Sequence, residues 1–305
     1  MSDLVKKNPI IIDGKQTSAN IRNWIYIEIE KLKKNYNFIP GLAVVLIGED
    51  HASTIYVRNK GKQSKEAGMN SWKYNLPSDI PEKDIIAQIN KLNNDDRVDG
   101  ILVQLPLPNS NSSSERSIIE AIDPEKDVDG LHIINSGKLV TGEEGLFPAT
   151  PSGCMHLIKD NFPNISGKKA LVIGRSNLVG KPISSMLLKE NCTVTVAHSK
   201  TKNLIDECKQ ADILIAAIGI PNFIKGDWVK KGSIIIDVGI NRIEDKKNNK
   251  NIIVGDVDYN NAINYCSAIT PVPGGVGPMT IACLLMNTLR ASCLRRNLSP
   301  PIYNT

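Results

Sequence analysis

Lys169-Ala-Leu-Val-Ile-Gly-Arg-Ser-Asn-Leu-Val-Gly-Lys-Pro182 decides the fold of this chain. The apolar run Lys169–Ile173 has the length of a buried strand, and it meets a glycine turn followed by a helical segment rich in Met, Leu and Ser. Such a turn seats a phosphate at the helix N-terminus, against free backbone N–H groups and the positive end of the helix dipole. The spacing from Gly174 to Gly180 is Gly-x-Ser-x-x-x-Gly, not Gly-x-Gly-x-x-Gly, so on these residues alone a plain strand-to-helix turn stays open.

The flanking sequence favours the nucleotide reading. Thr193–Ala197, Asp212–Ala217 and Ser233–Asp237 are further strands, with helical segments between the first three, as in a doubly wound domain. An NAD site carries Asp or Glu about 20 residues beyond the glycines to bond the ribose 2′-OH. Here the second strand ends Ala197-His-Ser-Lys-Thr-Lys202, without an acid. Arg175, Ser199 and His198 offer donors to a 2′-phosphate instead, so NADP is expected over NAD.

The first half repeats the alternation. Leu42–Ile47 reads as a buried strand, Ser53 to Gly68 as a helix that Gly68 stops, Trp72–Tyr74 as a strand, Pro81–Asn93 as a helix and Gly100–Gln104 as a strand. This order implies parallel βαβ units. Asn109–Ser114 reads as a polar loop, and Asp245–Asn251 as the exposed loop of a hairpin. Pro148 and Pro151 punctuate a domain boundary near Ala149–Ser152. Two α/β domains follow: residues 1–149, and a Rossmann-like parallel-sheet domain over residues 150–277.

Composition removes several classes of function. In 305 residues, 41% of them apolar, no apolar run reaches the roughly 18 residues of a membrane span. Mean hydropathy is −0.17. The N-terminus lacks the apolar core of a signal peptide, and a cytoplasmic protein is expected. Net charge is +5 and aromatics make up 5%, so no nucleic-acid surface is expected. Cys154, Cys192, Cys208, Cys266, Cys283 and Cys293 form no Cys-x-x-Cys pair, and His51, His132, His156 and His198 lack ligand spacing. Neither disulfides nor a metal are expected.

Candidate chemistry lies elsewhere. Tyr56 and Lys60 are four residues apart on one helix face, where a phenol and an amine can flank one substrate. Gln104 ends a buried strand, where open α/β sheets place ligand groups. Asp123-Pro-Glu-Lys-Asp127-Val-Asp129-Gly130 gathers carboxylates but lacks the pattern of a calcium loop. Thr270-Pro-Val-Pro-Gly-Gly-Val-Gly-Pro-Met-Thr280 combines residues that fix φ with residues that free it, as a loop touching substrate requires, and it enters a final helix near Gly277. Each motif alone also has a bland reading as a surface pair, a strand-end cap, an acidic turn or a linker.

Ser53-x-x-Tyr56-x-x-x-Lys60, Val103-Gln-Leu-Pro-Leu-Pro108, Pro124-Glu-Lys-Asp-Val-Asp-Gly130, Gly174-Arg-Ser-x-x-Val-Gly-x-Pro182 and Pro271 to Thr280 occur in this order. Together, over about Ile11 to Leu289, they resemble the bifunctional methylenetetrahydrofolate dehydrogenase/methenyltetrahydrofolate cyclohydrolase family. The resemblance implies NADP-dependent oxidation of 5,10-methylenetetrahydrofolate and hydrolysis of the methenyl product to 10-formyltetrahydrofolate, for purine biosynthesis.

The same resemblance implies site residues. Lys60 is the central catalytic group, Gln104 its partner, Tyr56 the ring stacked on folate and Asp129 the pterin anchor. Ser53, Pro273, Gly274 and Gly275 line a folate cleft between the domains. Gly174, Arg175, Ser176, Gly180, Pro182, His198, Ser199, Gly219, Asp237, Gly239 and Ile240 lie along the cofactor. The final helix, about 278–305, returns to the first domain, and the family expectation is a homodimer. Two readings stay open beside this one: a dehydrogenase without hydrolase activity, and a noncatalytic NADP-binding sensor. The role of Asp127 is undecided.

Overall fold

The computed structural model describes residues 8–108, 112–245 and 250–303. The first half contains β1 (Ile10–Ile11), α1 (Gly14–Tyr36), β2 (Gly41–Ile47), α2 (His51–Glu66), β3 (Asn70–Leu76), α3 (Glu82–Asn93), β4 (Gly100–Val103), α4 (Ser112–Glu120) and α5 (Ile133–Thr141). The second half contains α6 (Ala149–Asn161), β5 (Lys169–Ile173), α7 (Gly180–Lys189), β6 (Thr193–Ala197), α8 (Leu204–Gln210), β7 (Ile213–Ala216) and β8 (Ile234–Asp237). It ends with β9 (Asn241–Asp245), β10 (Lys250–Val254), α9 (Tyr259–Ala262), β11 (Ala268–Ile269) and α10 (Val276–Leu294).

The chain divides into two compact units. One consists of Ser18–Ala149 together with the residues from Ile281 onward. Its sheet is parallel, in the order β3-β2-β4. Every residue of β2 is buried, which explains its unbroken apolar sequence, whereas β3 is an edge strand with accessible polar positions such as Asn70 and Lys73. Val45, Ile47, Ile101 and Val103 pack under Ile85, Ile89 and Leu92 of α3 and Ile118 of α4. The end of α10 is tied to this unit by Asp99. Its buried carboxylate accepts hydrogen bonds from Arg295 Nη1 (2.8 Å), Arg296 Nη1 (2.6 Å) and the Gly41 amide (3.0 Å).

The other unit consists of Thr150–Thr280 with the N-terminal segment up to Thr17. Six parallel strands run in the order β1-β11-β8-β7-β5-β6. The order reverses at β5, which lies between β6 and β7, and in doubly wound sheets a ligand crevice opens at that switch point, beyond the carboxyl ends of the strands. β9 and β10 form a separate antiparallel hairpin.

Two expectations need correction. Ile10 and Ile11 add a strand to the six-stranded sheet, pairing with Ala268 and Ile269, so the N-terminal residues belong with the nucleotide unit and not with the first. Their apolar signal is too short to assign a sheet from sequence. Residues 112–114 open α4 instead of continuing the polar loop, since serines suit the start of a helix. Residues 109–111 and 246–249, within the two expected polar loops, lie outside the described residues. The chain divides between Ala149 and Thr150, near the expected boundary, and Ala149–Ser152 form the first turn of α6, where Pro151 is tolerated because first-turn N–H groups have no helical partner.

Candidate active site

Lys60 is only 7% exposed although lysine is rarely buried, and its Nζ donates a hydrogen bond to Gln104 Oε1 at 3.0 Å. The orientation of the Gln104 amide is fixed from its other end, where Nε2 donates to the Leu105 carbonyl at 2.6 Å. The amide therefore presents oxygen, not nitrogen, to the amine. Burial pushes the Lys60 pKa down, and the Asp129 charge pulls it partly back. Burial raises the Asp129 carboxyl in turn, against the pull of Lys60. Among the described residues no hydrogen bond reaches the Asp129 carboxylate, which is partly accessible.

Tyr56 stands one turn before Lys60 on α2 and is 41% exposed. An amine of lowered basicity, an amide that orients it, a carboxylate with open acceptor sites and an exposed phenol ring thus share one unit. The side chain of Ser53 lies outside the described residues. Pro273, Gly274 and Gly275 lie in the other unit, in a turn closed by the Gly275 amide on the Pro271 carbonyl (2.8 Å) and braced by the Lys15 amide on the Gly274 carbonyl (3.1 Å). The Pro273 side of this turn is exposed.

The residues expected along a cofactor gather at the carboxyl ends of β5, β6, β7 and β8. Gly174 follows β5 with φ +127°, and a Cβ there would stand 2.2 Å from the Ala217 carbonyl oxygen at the end of β7. A Cβ on Gly180 would likewise meet the Gly174 carbonyl at 2.2 Å. The turn can be this tight at the switch point only with glycine at both places. Arg175, Ser176, Ser199, Gly219 and Ile240 are exposed around it. The Ser176 hydroxyl oxygen accepts from the amides of Val179 (3.1 Å) and Gly180 (3.4 Å), which leaves its own proton to donate. His198 Nδ1 accepts from the Lys200 amide (3.2 Å), so a neutral ring carries its proton on Nε2.

Two expected cofactor residues turn inward. Pro182 is buried in the first turn of α7. The Asp237 carboxylate is buried and accepts from the amides of Gly239 (3.0 Å), Asp256 (2.9 Å) and Val257 (2.9 Å). Burial pushes its pKa up to about 7, against these hydrogen bonds. Asp256 braces the next turn: its Oδ2 accepts from Ile218 (2.7 Å) and Gly219 (3.0 Å), and Oδ1 from Asn241 Nδ2 (2.9 Å). Both acids hold the strand ends and present no side chain outward. Their place, at the end of β8 and just beyond β10, was legible, but their inward direction was not. Gly239 is buried against Asp256. Among the described residues no cluster of His, Cys, Asp and Glu could hold a metal ion.

A doubly wound nucleotide unit, joined to a unit that sets a buried lysine between an amide and a carboxylate, defines a nucleotide-dependent enzyme. Residues 12–129 match the tetrahydrofolate dehydrogenase/cyclohydrolase catalytic domain, and residues 148–296 match the NAD(P)-binding domain of the same family. The chain is 52% identical over 293 residues to bifunctional protein FolD 2 of Paracoccus denitrificans, covering 96% of each chain. It is 54% identical to bifunctional protein FolD of Zymomonas mobilis, covering 95% of this chain and 98% of that one.

Among solved structures, the bifunctional FolD enzyme of Campylobacter jejuni superposes with a TM-score of 0.89 at 46% identity, covering 93% of this chain and 99% of that one. FolD of Trypanosoma brucei, complexed with NADP cofactor and inhibitor, superposes with a TM-score of 0.88 at 33% identity, covering 95% and 99%. The chain belongs to the tetrahydrofolate dehydrogenase/cyclohydrolase family.

Proposed function

We propose that this protein oxidises 5,10-methylenetetrahydrofolate with NADP and hydrolyses the resulting 5,10-methenyltetrahydrofolate to 10-formyltetrahydrofolate. The observation that carries the reading is the buried Lys60 amine, 3.0 Å from Gln104 Oε1 and electrostatically coupled to Asp129. An aminopyrimidinone edge presents adjacent donors, and the open Asp129 carboxylate can accept two of them in parallel. Tyr56 offers an exposed ring face for stacking.

NADP, when bound, accepts the hydride that leaves the bridging carbon of the substrate. The glycine turn at the switch point fits its phosphates, and Arg175 and Ser199, with His198 Nε2–H, fit the 2′-phosphate. Loss of hydride leaves the bridging carbon in a cationic N5–C–N10 amidinium. This charge disfavours a protonated neighbour, and burial already lowers the basicity of Lys60, so the neutral amine is the form beside it. Lys60 then takes a proton from water as the water oxygen bonds to the bridging carbon. Cleavage of the bond from that carbon to N5, with one water proton returned to N5 and the hydroxyl proton released to solvent, leaves the formyl group on N10. Gln104 orients the amine throughout without the charge that would raise its pKa.

The family resemblance alone supports the remaining parts of this reading: a homodimer in the cytoplasm, supplying formyl groups to purine biosynthesis. The test mixes the protein with NADP and 5,10-methylenetetrahydrofolate while NADPH and methenyl absorbance are followed together. NADPH formation with only transient methenyl product is expected. Accumulating methenyl product at the uncatalysed hydrolysis rate would mean a dehydrogenase alone, and no NADPH would mean a noncatalytic binder.

A further inference from the structure

Lys126, Asp127 and Asp129 lie within four residues, yet the fold uses them in three ways. The Lys126 side chain is 1% exposed, and its Nζ donates to the carbonyls of Leu92 (3.1 Å), Asn93 (2.6 Å) and Asp95 (3.0 Å) at the end of α3. Asp127, equally buried, accepts on Oδ1 from the Gly130 amide (3.1 Å). Its Oδ2 accepts from the His132 amide (2.7 Å) and Asn135 Nδ2 (3.1 Å). Asn135 is itself buried and bonds back to the Pro124 carbonyl (2.9 Å).

Asp129 is thereby held on both sides. Before it, the Val128 carbonyl accepts from Asn287 Nδ2 at 2.9 Å. After it, Gly130 has φ +70°, and a Cβ there would stand 2.3 Å from the Phe147 carbonyl carbon. The amide of this pinned glycine is the one that Asp127 Oδ1 binds. The Asp129 carboxylate, by contrast, is left to an incoming group.

We propose that Asp127 is the positioning residue of the folate site, its carboxylate locking the Asp127–His132 turn so that Asp129 is presented at one fixed place to the substrate. The proposal rests on the reading of Asp129 as the anchor for the aminopyrimidinone edge. Three donors converge on Asp127, so both of its oxygens must be acceptors. An asparagine of the same shape would turn an NH2 group towards at least one of them, and the turn would have to shift. The shift reaches Asp129 through Gly130, with Lys60 and Gln104 on other elements left in place.

The test compares Asp127→Asn, Asn135→Ala and Asp129→Ala in the full-length protein, with KM and kcat for 5,10-methylenetetrahydrofolate, KM for methenyltetrahydrofolate hydrolysis, and Kd for NADP. Asp127→Asn is expected to raise the folate KM about tenfold or more in both reactions, with kcat within about threefold and the Kd for NADP unchanged. Asn135→Ala removes one of the three donors and is expected to raise the same KM about threefold. This milder variant carries the test if Asp127→Asn does not fold.

A folate KM within twofold of wild type in the folded variants, or a fall in kcat at constant KM, overturns the proposal while Asp129→Ala still raises KM. If Asp129→Ala leaves KM unchanged, the anchor reading fails first and the positioning role falls with it.

Discussion

Lys60 and Gln104 form a pair in which one member is titratable and the other is not, and this has a measurable consequence. Burial lowers the amine pKa, so the neutral form that hydrolysis needs grows as pH rises through that lowered value, below the ordinary lysine range. Gln104→Glu would set a carboxylate at 3.0 Å and raise the pKa again. The rising limb of cyclohydrolase activity is expected to move up by at least ~1 pH unit. Superimposed profiles for variant and wild type would contradict this.

Lys60→Met keeps chain length and apolar packing but removes the proposed base. Cyclohydrolase activity is expected to fall by at least ~10²-fold. Hydride transfer depends mainly on alignment, so it should persist with methenyl product accumulating. Wild-type hydrolysis above background would dismiss Lys60 as the base. Arg175 bears on cofactor choice in the same way. Arg175→Ala is expected to weaken NADP by about 1.5–3 kcal/mol, the worth of a charge-assisted hydrogen bond, and NAD much less. Equal losses in titrations with both would exclude a contact to the 2′-phosphate.

At the scale of elements, Asp99 fastens the end of α10 to the starts of β2 and β4. It accepts from two arginines and one strand amide while fully buried. Asp99→Ala would leave two guanidinium groups facing a buried gap, and a broken buried pair costs about 3–5 kcal/mol. Urea denaturation should show that loss, and a change under ~1 kcal/mol would mean that packing of α10 alone carries the join. The elements themselves were legible where periodicity was strong: β2, α3, β5 and β7 are apolar runs or stripes of the right length. Starts of helices were less so, because Ser112–Ser114 and Ala149–Ser152 read as breakers until tertiary packing recruits them.

The candidate site divides along a similar line. Residues proposed to face a ligand, such as Tyr56, Lys60 and Asp129, stand in recognisable order along the chain. Residues that brace the site are invisible in sequence. Asp256 and Asn287 bond to backbone groups 38 and 159 residues away, and no spacing rule encodes such partners.

Across the whole molecule, two buried carboxyls act on stability in the same direction. Desolvation holds Asp127 at about 6 and Asp237 at about 7, both above the unfolded value of roughly 3.9. The folded state therefore binds more protons than the unfolded one within that window. The stabilisation is full below about pH 4 and is lost as pH rises through about 6 and 7. Partly buried His156, whose pKa is lowered, opposes this below about pH 6.5, so the wild-type curve alone is a mixture. Asp237→Asn separates the effects: relative to wild type, its stability should improve from pH 5 to pH 7 by at most ~1.4 kcal/mol per pH unit. Parallel stability curves would show that Asp237 stays ionised throughout.

The interleaving of the chain has a further consequence during synthesis. Asp99 is made 196 residues before Arg295 and 197 before Arg296, so the acid has no guanidinium partner until both arginines follow. Ile10–Ile11 likewise wait for Ala268–Ile269 before the outer strand of the nucleotide unit can pair. Each unit thus depends on a segment distant in the chain, and a chain cut short before residue 295 would leave Asp99 without its two arginines.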